Sequence, residues 1–255
     1  MRDDTGATVA VPARVRRIVS LVPSLTETVA ATAPRLLVGA TDWCSHPAGL
    51  DVTRVRGTKN PDLELIRSLR PDVVLANFEE NRAADLDALR AAGVPVWVTV
   101  IRTVDEALAS LERVLTQACR LPRPAWLDGA EAAWRQEARA PWCRAVIPVW
   151  RRPWMVVGGE TFTGDVLARL GVVNIYADHP ERYPKIPIDR LREAGPDLVV
   201  LPDEPYRFTA DDGPESFPGV AAALLDGRRL TWYGPSLVEA PAVLSAQLRR
   251  TIIGG

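Results

Sequence analysis

The sequence predicts an α/β protein of two Rossmann-like lobes, each on a parallel sheet, joined by a single long α-helix. Three observations predict it. Short, continuous apolar runs alternate with helical segments along the chain, the pattern of strands buried on both faces of a sheet. A helical stretch free of Gly and Pro, Thr103 to Cys119, stands near the middle. And one block occurs twice, once on each side of that helix, at a constant offset without gaps. Leu63-Glu64-Leu65-Ile66-Arg67-Ser68-Leu69-Arg70-Pro71-Asp72-Val73-Val74-Leu75 matches Ile188-Asp189-Arg190-Leu191-Arg192-Glu193-Ala194-Gly195-Pro196-Asp197-Leu198-Val199-Val200. Both read short helix, Pro-Asp, buried strand, acidic loop.

Taken in order, Arg17 to Val22 is a short apolar run with a β-branched bias and reads as the first strand. An Ala-rich helix over 27–33 follows, with Ser24 as its N-cap and Glu27 three residues on. Leu36 to Ala40 is the second strand and empties into Thr41-Asp42-Trp43-Cys44-Ser45-His46-Pro47. After the polar loop Arg56 to Pro61, a helix from Asp62 to Leu69 leads to the strand Asp72 to Ala76 and the loop Phe78-Glu79-Glu80-Asn81. The helix Asp85 to Ala92 stops at Gly93 as a C-cap, before the strand Val94 to Val100.

The central helix places Val104, Ala107, Leu108, Leu111, Val114, Leu115 and Ala118 on one stripe. Thr103 and Glu106 form a capping-box pattern at its start. Four to five turns give it a length of about 25 Å. Next, Trp126 to Ala138 reads as a more polar helix. Ala145 to Val149 is a strand, Met155 to Val157 a short strand or extension, Thr163 to Leu170 a helix closed by Gly171, and Val172 to Tyr176 a strand. The loop Asp178 to Pro187 precedes the helix Asp189 to Ala194 and the strand Asp197 to Leu201. The loop Asp203 to Phe208 follows. Leu230 to Tyr233 reads as a final edge strand, and a helix from Glu239 to Arg250 closes the chain. The expected lobes are 1–102 and 121–255, with the connecting helix at 103–120.

Composition sets bounds on function. Of 255 residues, 47% are apolar and 25% charged, and the net charge is −1, so the balance implies no broad nucleic-acid footprint. Arginines greatly outnumber lysines but are scattered along the sequence. Three cysteines, Cys44, Cys119 and Cys143, form no C-x-x-C pair, and the odd count argues against a disulfide framework. No run of about 18 apolar residues is long enough to span a membrane. The start Met-Arg-Asp-Asp, acidic and without an apolar stretch, is unlike a secretory signal, so a cytoplasmic location is expected, with export or a lipid anchor as the alternative.

Ligands of open parallel sheets bind beyond the carboxyl ends of the strands. In lobe one those ends carry Ser24, Trp43 to His46, Lys59, Glu79 to Asn81 and Arg102; in lobe two, Trp150 to Trp154, Tyr183, Glu204 to Phe208, Trp232 and Tyr233. Facing each other, the two sets would form an aromatic-rich cleft for a large, flat, partly apolar ligand with polar edges.

Arg17-Ile18-Val19-Ser20-Leu21-Val22-Pro23-Ser24-Leu25-Thr26-Glu27, the 38–47 loop and the 63–74 block resemble the helical-backbone metal receptors. These are the class III substrate-binding proteins that carry cobalamin, haem and iron–siderophore complexes to ABC importers. The resemblance covers nearly the whole chain and is closest to the cobalamin branch. It implies two lobes on one backbone helix, no catalysis, and a monomer that binds a corrinoid or another metal chelate and meets an importer permease. Carried over, Trp43, Trp154 and Tyr183 match aromatics of the cobalamin site, and Trp232 or Tyr233 lies near a fourth contact. Glu64 and Asp189 match the two carboxylates that dock on the transporter. A further aromatic position of that site falls at Thr58, and the second docking acid is Asp rather than Glu.

The remaining chemistry is sparse. Cys44 and His46, spaced C-x-H, could ligate a metal or a macrocycle axially, but two histidines and no accompanying carboxylates argue against a protein metal cage. His179 reads as a solvated loop residue. Ser24 with His46 lacks the G-x-S-x-G elbow of a nucleophile. Gly159 to Gly164 has phosphate-loop spacing but continues with Asp165 instead of Lys. Arg151, Tyr206 and Glu79 are the remaining candidates, Arg151 for ligand carboxylates or phosphate and Glu79 for ligand amides. The reading from another class is a tetrapyrrole metal chelatase on the same bilobal plan. It needs a His and a carboxylate at one site, and His46 is its one candidate. No intrinsic cofactor is expected.

Overall fold

A computed structural model describes residues 1–135 and 139–253. The chain divides into two compact units. Unit 1 comprises Met1–Ile101, Asp105–Gly129 and Tyr233–Pro235; unit 2 comprises Arg102–Val104, Ala130–Trp232 and the chain from Ser236 on.

Unit 1 holds β1 (Ile18–Ser20), α1 (Pro23–Thr32), β2 (Leu37–Ala40), β3 (Thr53–Arg54), the hairpin β4 (Arg56–Gly57) and β5 (Asn60–Pro61), α2 (Leu63–Ser68), β6 (Val73–Asn77), α3 (Ala83–Ala91) and β7 (Val96–Thr99). Its sheet runs β3-β2-β1-β6-β7, all parallel. Val19, Leu21, Ile66, Val74, Ala76, Leu89 and Val98 form its core, which is why the central strands read as continuous apolar runs. The central helix follows as α4 (Val104–Arg113) and passes into a π-helical turn, Val114–Ala118. There the Cys119 amide reaches back to the Val114 carbonyl at 2.8 Å. All seven residues of the predicted apolar stripe are buried.

Unit 2 takes up the second half of α5 (Ala125–Trp134), then β8 (Cys143–Val146), the hairpin β9 (Pro148–Arg151) and β10 (Trp154–Val156), α6 (Phe162–Arg169), β11 (Val172–Asn174), α7 (Ile188–Glu193), β12 (Leu198–Pro202), β13 (Ala221–Leu225), α8 (Gly227–Thr231), α9 (Ala240–Leu248) and β14 (Thr251–Ile253). Its sheet runs β11-β8-β12-β13-β14, parallel except for β14. The expected helix through Ala138 is seen to Trp134; residues 136–138 lie outside the described ones.

The repeated Pro-Asp does the same job in both units. The Asp72 carboxylate accepts the amides of Arg16 (2.6 Å) and Arg17 (2.9 Å) at the entry to β1. The Asp197 carboxylate accepts the amide of Arg144 (2.8 Å) in β8. The Asp72 and Asp197 amides donate back to the carbonyls of Arg17 and Arg144. Each acid therefore ties the start of one central strand to the start of its neighbour and satisfies backbone groups beyond the ladder.

Three local expectations are corrected. Ser24 is not an N-cap: α1 begins at Pro23, whose fixed φ suits the first turn, and Val22 occupies the cap. Leu230 to Tyr233 is not a strand. The Asp226 carboxylate accepts the Arg229 amide (2.9 Å) and starts α8, which runs through Thr231. The strand beside β12 is instead Ala221–Leu225, an alanine run with little intrinsic β preference. Lastly, α9 is followed by an antiparallel strand, β14, on the far side of β13.

Candidate functional site

In unit 1, the carboxyl ends of β2 and β6 present two exposed rings. Trp43 is 69% exposed and Phe78 61%. Trp43 lines a shallow pocket with Asp42, Arg56, Gly57 and Asn60. The β4–β5 hairpin lies directly against its indole: a Cβ at Gly57 would stand 3.3 Å from the indole nitrogen and would displace the Asn60 side chain. Lys59, at the hairpin tip, donates to the Glu79 carbonyl. Asn81 donates to the carbonyls of Thr58 (3.0 Å) and Leu21 (3.3 Å) and accepts from the Asn77 amide (2.9 Å). Asn77 Oδ1 in turn accepts from the amides of Glu79 and Glu80. Buried Asn77 and Asn81 thus set the loop that carries Phe78 and Glu79.

Ser24 and Tyr233 are buried in this unit. Burial, and after it the charge of Glu80, pushes the Tyr233 hydroxyl far above its ordinary pKa, while hydrogen bonding with Ser24 and Thr99 pulls the other way. Tyr233 therefore stays neutral. Cys44 is also buried. Thr26 Oγ1 donates to its sulfur at 2.9 Å and Thr41 Oγ1 lies at 3.1 Å. Burial raises its thiol pKa, which keeps it protonated and a poor metal ligand. His46 is partly exposed, with Nδ1 3.1 Å from Ser45 Oγ. The C-x-H spacing therefore puts one residue inside the unit and the other at its surface.

In unit 2, the β9–β10 hairpin and the loop after β12 build one aromatic cluster. Trp154 stacks on Phe208 (centroids 6.1 Å apart, planes at 11°) and meets Phe217 edge-on at 5.6 Å. Tyr206 packs on Phe208 at 4.7 Å and edge-on to Trp150 at 5.6 Å. Phe208 and Phe217 are buried, whereas Trp150 is 42% exposed and Trp154 and Tyr206 are half-buried. The hidden rings support the exposed ones. The loop bearing Tyr183 runs beside β10: the Val156 amide donates to Pro184 (3.1 Å) and the Gly158 amide to Arg182 (2.7 Å). Tyr183 itself is exposed.

Arg151 is held inside this cluster. Its guanidinium pairs with Asp212 and Glu215, bonds Ser216 Oγ at 3.1 Å and lies 5.5 Å from the centre of the Trp154 ring. Tyr206 donates its hydroxyl to Asp212 at 2.6 Å. Burial works against ionising Glu215. Hydrogen bonds from the Gly213 amide, Ser216 and Arg151 outweigh it and lower the carboxyl below its ordinary value. Arg151 thereby joins the hairpin to the loop, with its charge already matched by two carboxylates. Trp232 is buried, and its indole donates to Glu204 at 3.0 Å. Burial and then Asp203 raise the Glu204 pKa.

The structure therefore brings Trp154, Arg151 and Tyr206 together and sets Trp43, Lys59 and Glu79 around one end of the unit 1 sheet. Sequence reasoning missed Phe78, Asp212, Glu215 and Phe217 as members of these groups. Phe78 was detectable as the residue just past a strand end. The partners of Arg151 lie 60 residues and more away in sequence, and no local pattern marks them. Glu64 (84% exposed) and Asp189 (79%) occupy the first turns of α2 and α7, each paired with the arginine three residues on, Arg67 at 2.8 Å and Arg192 at 3.3 Å.

No family model matches the chain. Among curated proteins, the vitamin B12-binding protein of Yersinia pseudotuberculosis is 26% identical over 195 residues, 72% of this chain and 69% of that one. That of Pectobacterium carotovorum is 25% identical over 207 residues, 76% and 74% of the two chains. Among solved structures, the periplasmic vitamin B12 binding protein BtuF of Vibrio cholerae aligns with a TM-score of 0.71 at 19% identity, covering 93% of this chain and 98% of that one. The periplasmic heme-binding protein RhuT of Roseiflexus reaches 0.71 at 21%, covering 91% and 97%. Helicobacter pylori CeuE with Ni(II) bound reaches 0.81 at 14%, covering 97% and 87%. The α/β fold read from the sequence is the fold of these proteins.

The expected cytoplasmic location is corrected by the same proteins, two of which are periplasmic by name. The acids at the start of the chain, which argued against a signal, have a structural task. Asp3 is buried and accepts the amides of Thr5, Ala7 and Val98. Asp4 accepts the Val100 amide (3.1 Å) and pairs with Arg113 (2.7 Å). They fasten the first residues to the exit of β7 and to α4, and so say nothing about export.

Proposed function

We propose, on the premise that this chain is a class III ABC-importer substrate-binding protein, that it carries a corrinoid such as cobalamin and is exported to do so. The chain is a binding protein, not an enzyme, and the chelatase reading is set aside. The observation that carries the ligand class is the aromatic cluster of unit 2, where half-buried Trp154 and Tyr206 and exposed Trp150 rest on buried Phe208 and Phe217. Such a surface suits a large, flat, partly apolar ring. Exposed Trp43 and Phe78 offer unit 1 a similar capacity. Corrinoid is favoured over haem because the curated relatives that span most of the chain are named for vitamin B12. Tyr183, Lys59, Glu79 and His46 supply polar edges, and Glu64 and Asp189 are the docking charges for an importer permease.

The test is titration calorimetry with cyanocobalamin, hemin and a ferric siderophore. Saturable one-to-one binding of cyanocobalamin, tighter than of the other two, is expected. Preference for hemin would transfer the chain to a haem role. Failure of all three would overturn the reading.

A further inference from the structure

Arginines that lie scattered in the sequence are gathered by the fold of unit 1. Register sets Ile18 of β1 beside Leu37 of β2 and Val73 of β6. The segments entering those strands share one end of the sheet, and they carry Arg14, Arg16, Arg17, Arg35 and Arg70. Arg120 joins them, donating to the carbonyls of Pro12 (3.2 Å) and Val11 (3.5 Å). All six are exposed, and among the described residues none of them pairs with a carboxylate. Asp72, which stands between them, is turned to the amides of Arg16 and Arg17. Asp51, ahead of β3, is an exposed acid at the same end. Six arginines at one end of unit 1, in a chain whose net charge is −1, make that end cationic.

A second observation concerns backbone conformation. Arg70 and Arg120 both sit at positive φ, 45° and 57°. Side chains other than Gly and Asn enter this region at a cost. The counterpart of Arg70 in the repeat is Gly195, which makes the same turn at φ 61°. Glycine serves the turn before Pro-Asp in unit 2, while unit 1 has a strained arginine on the cationic face.

We propose that this face, at the opposite end of the unit 1 strands from Trp43 and Phe78, rests on an anionic phospholipid surface. Six guanidinia without a carboxylate partner among the described residues, two of which (Arg17 and Arg120) also donate to backbone carbonyls, gather at one end of unit 1 and match an array of lipid phosphates. They form no helix or ribbon to enter a nucleic-acid groove. The choice of lipid rests on the exported location proposed above; the cationic face itself does not.

The experiment is cosedimentation of the full chain with vesicles of phosphatidylcholine mixed with phosphatidylglycerol, against phosphatidylcholine alone, over a salt series. Binding is expected only with phosphatidylglycerol and should fall steeply with salt. The variant Arg14→Gln/Arg16→Gln/Arg70→Gly should bind about tenfold more weakly or worse. Its melting temperature should hold or rise, because Gly relaxes the turn. Cyanocobalamin titration of the same variant should be unchanged, which separates this face from the ligand reading. Equal binding to neutral vesicles, equal binding by the variant, or tighter binding to duplex DNA than to anionic vesicles would overturn the proposal.

Discussion

At the scale of single residues, the clearest division is between rings that face solvent and rings that hold them. Trp154 is half-buried, stacked on Phe208, edge-on to Phe217 and with the Arg151 guanidinium over its ring, so its position is fixed while part of the ring still meets solvent. Trp154→Ala is expected to weaken cyanocobalamin binding by about 1 to 3 kcal/mol, from lost area and lost stacking, as read by calorimetry. An unchanged affinity would remove Trp154 from the site. Arg151 was read from the sequence as a possible grip on ligand carboxylates, but its partners are Asp212 and Glu215. Its effect on a ligand should act through the ring it covers. The sign of the pH response follows from Glu215. Its folded-state pKa is lowered, so its contribution is complete above the ordinary carboxylate value of 4.5 and is lost as pH falls through the lower folded value. Near-ultraviolet circular dichroism of the tryptophans should change on acidification in that range. In Glu215→Gln the change should already be present at neutral pH. A variant that titrates like the wild type would show that the pair does not order the rings.

At the scale of elements, the Pro-Asp latch makes a quantitative comparison inside one molecule. Asp72 accepts two backbone amides and Asp197 one. Asp72→Ala is expected to cost about 1 to 3 kcal/mol and Asp197→Ala less, measured by denaturant unfolding. Equal or negligible losses would mean that water replaces the carboxylates at these strand entries. The strand before each acidic loop was legible because a buried parallel strand is a continuous apolar run, and Val73–Asn77 and Leu198–Pro202 are buried throughout. The stripe of α4 was legible for a similar reason, each position being set by one helical period. Ala221–Leu225 was not, because its strand character comes from pairing with β12 and not from its alanines. Leu230 to Tyr233 misled for the opposite reason: the cap at Asp226 decides the conformation there, four residues before the apolar run begins.

At the scale of the whole molecule, the sequence marks candidate rings more readily than the contacts that hold them. Trp43, Trp154 and Tyr183 could be picked out as aromatics near strand ends, yet the contacts that fix Trp154 cross from residue 151 to residues 206–217 and leave no periodic trace. Glu64 and Asp189 are exposed and built alike, each on the first turn of its helix. If they meet a permease, Glu64→Lys/Asp189→Lys should leave cyanocobalamin affinity within about twofold, since exposed charges are screened within about 10 Å. Uptake into proteoliposomes that hold the permease should fall about tenfold or more. Normal uptake by the double variant would free these acids from any docking role. Unit 1 also has a late component. Tyr233–Pro235 belongs to it although most of the intervening chain builds unit 2, and Gly234 lies against Ser24 and Thr28 of α1. A ribosome must therefore synthesise nearly the entire protein before the first unit can be finished. Until then the stretch of α1 around Ser24 and Thr28, against which Gly234 lies, has no cover from it.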